Sequence, residues 1–214
     1  MTAHYFLTPE TPEQRTQMHV ELRGRPVSVV TSAGVFSPKA LDKGTAVLLD
    51  SAPDPAGREF LDLGCGWGPI TLALGLSGSN LAAEATDDEA PRVTAVDVNE
   101  RSLALTRDNA AANGVRAETY LPEDVPAERR FDVIWSNPPI RVGKEALHQI
   151  LLQWLPRLSP DGVAWLVVQK NLGADSLQKW LVTALTEATG QTWDVKRSAT
   201  SKGFRVLAVS RKSR

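Results

Sequence analysis

The sequence has a single cysteine, Cys65, and only three histidines. One thiol can form no internal disulfide and no multi-cysteine zinc site, and the histidines lack ligand spacing, so no structural metal is expected. Long apolar runs are missing too: none approaches the roughly 18 residues that span a bilayer. The start, Met1-Thr2-Ala3-His4-Tyr5-Phe6, has no basic segment followed by an apolar one. The expectation is a soluble, cytoplasmic protein with no membrane partner. An excess of either charge is also absent, with a formal net charge of −1. The charge is nevertheless segregated: residues 195–214 hold Lys196, Arg197, Lys202, Arg205, Arg211, Lys212 and Arg214 and no acidic residue. A solvated tail and a basic rim facing phosphates account for this stretch equally well.

What is present suits an ordinary globular chain. Hydrophobic residues make up 42% and charged residues 23%, which disfavours disorder, and 214 residues fit one α/β domain with an appendage. The expected division is an N-terminal extension over 1–57 and a core over 58–214. Residues 18–31 alternate apolar and polar side chains around Gly24, the pattern of a β-hairpin, and are expected to cap the domain's entrance. A short helical stretch over 45–49 follows, and Pro53-Asp54-Pro55-Ala56-Gly57 ends the extension.

From Arg58 the pattern alternates strand and helix, which argues for a parallel sheet covered on both faces. Strands are expected at 60–63, 92–97, 131–135 and 163–169, with helices at 70–76, 101–113, 145–155 and 176–189. Residues 192–198 and 204–210 have no helical stretch between them and are expected to pair antiparallel through a turn at Ser201-Lys202-Gly203. A terminal antiparallel hairpin departs from a plain dinucleotide-binding sheet. Residues 77–91 are polar, small and acidic, and are longer than an ordinary connection; they read as a mobile insertion.

Chemistry concentrates at the ends of two strands. Asp62-Leu63-Gly64-Cys65-Gly66-Trp67-Gly68-Pro69 closes the first core strand and opens a helix. Its glycines let the main chain take positive φ and admit a ligand against the backbone. The Gly-x-Gly-x-Gly spacing is tighter than the Gly-x-Gly-x-x-Gly that aims a helix at a pyrophosphate. A nucleoside cofactor without phosphates, S-adenosylmethionine, fits that difference, and the Asp62 carboxylate is a candidate for its cationic amino end. Asp97, one βα unit further on and followed by Val98, can accept from both ribose hydroxyls, or it can cap the next helix. Cys65 and Trp67 read as packing residues beside the ligand.

The second strand end is Ser136-Asn137-Pro138-Pro139-Ile140. Two prolines direct the chain and keep Asn137 out of helix, turning its amide and the Pro138 carbonyl toward one point. An exocyclic amine is a poor nucleophile because its lone pair delocalises into the ring. Hydrogen bonds from both of its N–H groups to fixed acceptors favour the pyramidal form in which that pair is free. Alignment of nitrogen with an activated methyl group then does most of the work.

At these residues the chain resembles the class I methyltransferases, and more narrowly the small methyltransferase domain family that contains the small-subunit ribosomal RNA guanine-N2 methyltransferases and their single-domain relatives. The resemblance extends to His4-Tyr5-Phe6, Gly34-Val35-Phe36-Ser37, Asp42-Lys43-Gly44-Thr45, Arg141-Val142-Gly143-Lys144-Glu145 and Gly203-Phe204-Arg205-Val206-Leu207. It implies a doubly wound, mostly parallel seven-stranded sheet with the last strand antiparallel, preceded by the hairpin extension. It implies S-adenosylmethionine at Asp62, Gly64, Cys65, Gly66, Asp97 and Val98, with Phe36, Asp42 and Thr45 folded over it, and the methyl acceptor at Asn137 and Pro138. Pro139 and Ile140 would adjoin the base, with Ile140 standing where many exocyclic-amine methyltransferases have an aromatic residue. Arg141, Lys144, Lys170, Lys202 and Arg205 would meet RNA phosphates, ribosomal RNA of the small subunit being the expected partner. Two other readings use the same residues: an enzyme that methylates a glutamine side-chain amide of a protein, and a non-catalytic relative that only holds cofactor or RNA.

Overall fold

A computed structural model describes residues 12–78, 90–139 and 142–212. Strands β1 (Arg15–Leu22) and β2 (Arg25–Ser32) form the hairpin. Arg23 and Gly24 both take positive φ, 52° and 77°, as a two-residue hairpin turn requires. The Arg23 guanidinium then donates to the carbonyls of Leu49 and Ala52 at 2.6 and 2.8 Å. It thereby satisfies backbone acceptors at the end of helix α1 (Lys43–Ser51).

The core runs β3 (Glu59–Leu63), α2 (Pro69–Gly78), β4 (Arg92–Val96), α3 (Glu100–Ala112), β5 (Ala117–Tyr120), β6 (Phe131–Ser136), α4 (Lys144–Trp154), β7 (Leu158–Gln169), α5 (Ala174–Thr189), β8 (Trp193–Ser201) and β9 (Phe204–Arg211), following the expected pattern apart from β5, a short strand that the apolar pattern did not reveal. Seven strands lie in the order β5-β4-β3-β6-β7-β9-β8. Five run parallel, and β9 runs antiparallel to both β7 and β8. β8 therefore ends on the same edge as β3, β4, β6 and β7.

Alternation along β6 assigns the two faces. Val133 and Trp135 join the apolar cluster that includes the hairpin, α1 and α2, whereas Ile134 joins the one built with α4 and α5, as does Phe131 from beyond a register shift. Two apolar layers on one sheet are what a doubly wound arrangement buries. β7 starts five residues earlier than its apolar run suggests, because its first residues pair with β6 across a register shift between Phe131 and Val133. Pro160 has no N–H to give a ladder there, and a side chain at Gly162 would stand 2.8 Å from the Phe131 carbonyl oxygen.

The hairpin lies against α3 rather than over the cleft. Asn109 of α3 presents its carboxamide to β2 as a strand would, accepting from Val30 N at 2.7 Å and donating to Val30 O at 2.8 Å. The loop after the hairpin is what reaches the strand ends. Among the described residues no helix is long and apolar enough to cross a membrane. Most of the polar insertion predicted at 77–91 lies outside the described residues, as does the His4-Tyr5-Phe6 motif.

Candidate active site

A shallow cleft opens where β3 and β6 end, lined by Phe36, Ser37, Asp42, Thr45, Gly64, Cys65, Gly66, Trp67 and Asn137 among others. One wall is the glycine turn. Gly64, Gly66 and Gly68 have φ of 85°, 58° and 93°, and Gly64 N and Cys65 N both donate to Val96 O. Asp97 follows at once and accepts from Gly66 N and from Asn99 N, each at 2.9 Å. Burial raises the pKa of Asp97, while backbone donors at Gly66, Asn99 and Val98 oppose the rise.

A Cβ built on Gly64 would meet nothing within 4 Å, so that side of the turn is open space. Val98, 51% exposed, and Phe36, 36% exposed, add apolar surface beside it. Cys65 is buried and borders the cleft; burial pushes its thiol pKa well up, and Thr106 Oγ1 lies 3.3 Å from its sulfur. These features suit packing rather than thiol chemistry.

Asn99, which the sequence reading passed over, caps α3 by accepting from Arg101 N at 3.0 Å. Its Nδ2 holds Gly34 O at 2.9 Å. Asp97 therefore is not the helix cap. The signal was available, since an asparagine directly before a helical stretch is a favoured cap. With Trp67 Nε1 donating to Ser37 O at 3.2 Å, the loop carrying Phe36 is tied to the glycine turn.

Asp62 departs from its expected place. It has no exposed surface; its Oδ2 takes hydrogen bonds from Thr71 N at 2.8 Å and Thr71 Oγ1 at 2.6 Å. Oδ1 is buried without a hydrogen-bond partner among the described residues. A carboxylate so enclosed fastens β3 to α2 through one oxygen. Burial first, and the nearby Asp97 charge last, push its pKa up from 3.8 to about 7 against the pull of the Thr71 bonds.

The opposite wall begins at Ser136, whose Oγ donates to Leu63 O at 2.7 Å and so joins the ends of β6 and β3. Asn137 comes next and is half-buried. Its Nδ2 donates to Asp42 Oδ1 at 2.8 Å and to Thr45 Oγ1 at 3.0 Å. The same Asp42 oxygen caps α1, accepting from Gly44 N at 2.8 Å and Thr45 N at 3.1 Å. Asp42 and Thr45, expected over the cofactor, are thus placed against Asn137. Both amide protons of Asn137 are spoken for, which leaves Oδ1 as its free acceptor. Pro138 is buried and Pro139 half-buried; Ile140 and Arg141 lie outside the described residues.

The basic residues separate into two kinds. Lys144, Lys170 and Lys202 are exposed at the edge where the parallel strands end, and Lys170 N donates to Gly203 O at 2.9 Å, joining the end of β7 to the last turn. Arg205 does not belong with them. It is only 7% exposed and forms an ion pair with Asp175 in the first turn of α5, because its position on β9 points its side chain under that helix. Arg211 is similarly engaged, donating to Pro156 O at 2.9 Å and lying over the Trp193 ring. The basic C-terminal stretch is therefore partly internal structure and not one phosphate-facing rim.

A seven-stranded sheet with a glycine turn after its first strand and a terminal antiparallel hairpin is the class I methyltransferase fold, a class whose members draw their methyl group from S-adenosylmethionine. Comparison with known proteins agrees. The methyltransferase small domain family matches residues 26–208. An uncharacterized protein of Bacillus subtilis, YbxB, is 34% identical over 182 residues, covering 82% of this chain and 86% of that one. A protein of Shewanella loihica named ribosomal RNA small subunit methyltransferase C is 31% identical over 175 residues, 79% of this chain. The chain spans only 48% of that relative's length. Among solved structures, a T. thermophilus 16S rRNA N2 G1207 methyltransferase, in complex with AdoMet and guanosine, superposes with a TM-score of 0.72 at 24% identity, covering 95% of this chain and 52% of its own. The chain belongs to the methyltransferase small domain family.

Proposed function

We propose that this protein transfers a methyl group from S-adenosylmethionine to an exocyclic amine, with guanine N2 in ribosomal RNA as the acceptor. The observation that carries this reading is Asn137: its amide is held by its N–H groups, so a lone carbonyl oxygen is presented at the cleft beside the glycine turn. An acceptor group there selects a ligand that donates N–H.

The lining of the cleft suits the cofactor chemically. The open space beside Gly64 admits a ligand against the main chain, and the exposed faces of Val98 and Phe36 suit an adenine. Asp97, with three backbone donors on its two oxygens, keeps an acceptor site for a ribose hydroxyl. Gly64, Cys65, Gly66, Asp97 and Val98 are therefore assigned to the cofactor, with Phe36 closing over it. When bound, S-adenosylmethionine supplies a methyl carbon on a sulfonium that leaves as a neutral thioether.

On the acceptor side, Asn137 Oδ1 and the Pro138 carbonyl receive the two N–H groups of the amine. They hold its nitrogen in line and stabilise the positive charge that grows on it as the N–C bond forms and the C–S bond breaks. The surplus proton then passes to water. Pro139 limits the base on one side. Lys144, Lys170 and Lys202, joined by Lys39 and Lys43 around the start of α1, are exposed and form no ion pair among the described residues. They suit phosphates flanking the base. The shared family and the name of the Shewanella relative support ribosomal RNA.

The test is a radiolabelled methyl-transfer assay on naked ribosomal RNA, undermodified small-subunit particles and protein extract, after calorimetric titration with S-adenosylmethionine and with NAD. Label in RNA that maps to guanine N2 is the expected result. Label confined to protein would replace the acceptor with a side-chain amide, and cofactor binding without transfer to any of them would sink the reading.

A further inference from the structure

Asp42 lies in the cleft wall, yet its capping duty needs only one oxygen and one helix. The same oxygen also receives Asn137, 95 residues away. A helix cap made by serine or threonine would satisfy the same two backbone donors without reaching across to β6. The added contact therefore has a separate consequence, and that consequence falls on the Asn137 carbonyl.

We propose that Asp42, seconded by Thr45, is the positioning residue that selects the amide orientation of Asn137 and charges its Oδ1 toward the methyl acceptor. This rests on the exocyclic-amine reading of the cleft. The orientation follows from chemistry: a carboxylate has no proton to give, so only the NH2 side of the amide can face it. A flipped amide would set oxygen against oxygen at 2.8 Å and turn two donors toward the substrate's own N–H groups. Thr45 Oγ1 at 3.0 Å takes the second amide proton and closes the alternative rotation.

The charge effect follows from resonance. An amide whose N–H groups donate to a carboxylate shifts toward its charge-separated form, which places more negative charge on the carbonyl oxygen. That oxygen meets a nitrogen whose positive charge increases along the reaction, so the gain is larger in the transition state than in the ground state. Asp42 touches neither acceptor nor reacting atoms in this scheme and acts through Asn137.

Three variants separate the two parts. Asp42→Ser keeps the helix cap but withdraws the oxygen from Asn137; Asp42→Asn keeps an oxygen in place but removes the charge; Thr45→Val removes the second acceptor with its shape retained. Turnover is measured at saturating S-adenosylmethionine on the acceptor identified for the wild type. In parallel, the side-chain amide protons of Asn137 are followed by nuclear magnetic resonance, assigned by their loss in Asn137→Ala. The expected results are a fall in kcat of about a hundredfold for Asp42→Ser and about tenfold for Asp42→Asn and Thr45→Val. Slow amide exchange should be lost only in Asp42→Ser. Unchanged Asn137 amide signals in Asp42→Ser, or a turnover defect that saturating cofactor abolishes, would overturn the proposal. A wild-type protein that methylates no N–H acceptor would remove the reaction instead, and the amide signals would still decide whether Asp42 sets the Asn137 orientation.

Discussion

The two walls of the cleft are held by different kinds of bond. The glycine wall is backbone work: Gly64 and Cys65 donate to Val96 O, and Gly66 donates to the carboxylate one residue beyond it. The Asn137 wall is held by side chains, with bonds from Asn137 to Asp42 and Thr45 that cross 95 and 92 residues. A wall made of main chain gives shape, since a ligand approaches it only where side chains are missing. A wall made of side chains gives direction, since each polar atom can be aimed. The division matches what each half of a methyl transfer requires.

Substitutions can break this contrast, beginning with the largest effect. Asn137→Ala should reduce turnover by about 10²–10³, the cost of losing one preorganised electrostatic group, while calorimetry shows near-normal affinity for S-adenosylmethionine. A matching loss of cofactor affinity would mean that the walls are not separate.

Asp62→Asn tests the buried support of the glycine wall. The native pKa of Asp62, about 7, lies above its ordinary 3.8, so the native state favours the protonated form. The stability linked to this group is complete below about pH 4 and is lost as pH rises through 7. Asparagine can still accept from Thr71 and never ionises. The displacement sets a ceiling of about 4 kcal/mol, and relaxation around a buried charge reduces what is realised. Denaturant unfolding should show the stability of Asp62→Asn relative to the wild type rising by about 2 kcal/mol between pH 4 and pH 8.

A smaller effect compares two glycines. Gly64 and Gly114 both have positive φ, and an added Cβ at either meets nothing within 4 Å. Alanine at each should cost about 1 kcal/mol of stability from backbone strain. Only Gly64→Ala should also weaken cofactor binding, since its methyl group takes up space in the cleft. Equal affinities in the two variants would place the ligand elsewhere.

The smallest effect concerns the basic edge. Lys202→Ala should lower the salt dependence of RNA binding, read as the slope of log K against log salt, by about one. Arg205→Ala should leave that slope unchanged and lower the unfolding midpoint, because it removes a buried side chain packed beneath α5.

Arg205 shows why the basic stretch could not be parsed in advance. Alternation along β9 fixes which face a residue occupies, but Asp175 comes from a helix that only the folded sheet brings above it. Asp62 makes a related point: its type and its place before the glycines are legible in the sequence, whereas its bonds to Thr71 on the next helix are not. Asn99 could have been found from its position alone.

The order of strands and helices apart from β5, the terminal hairpin, the glycine turn and the acidic residue after β4 were determined by sequence, because periodicity, positive φ and proline act within a few residues. The strand order, the burial of Asp62 and Arg205, and the side of the Asn137 amide that faces the cleft were decided only by tertiary structure. Each of these depends on a partner distant in the chain, and no local rule encodes which polar atom will be within 3 Å of another once the sheet has closed.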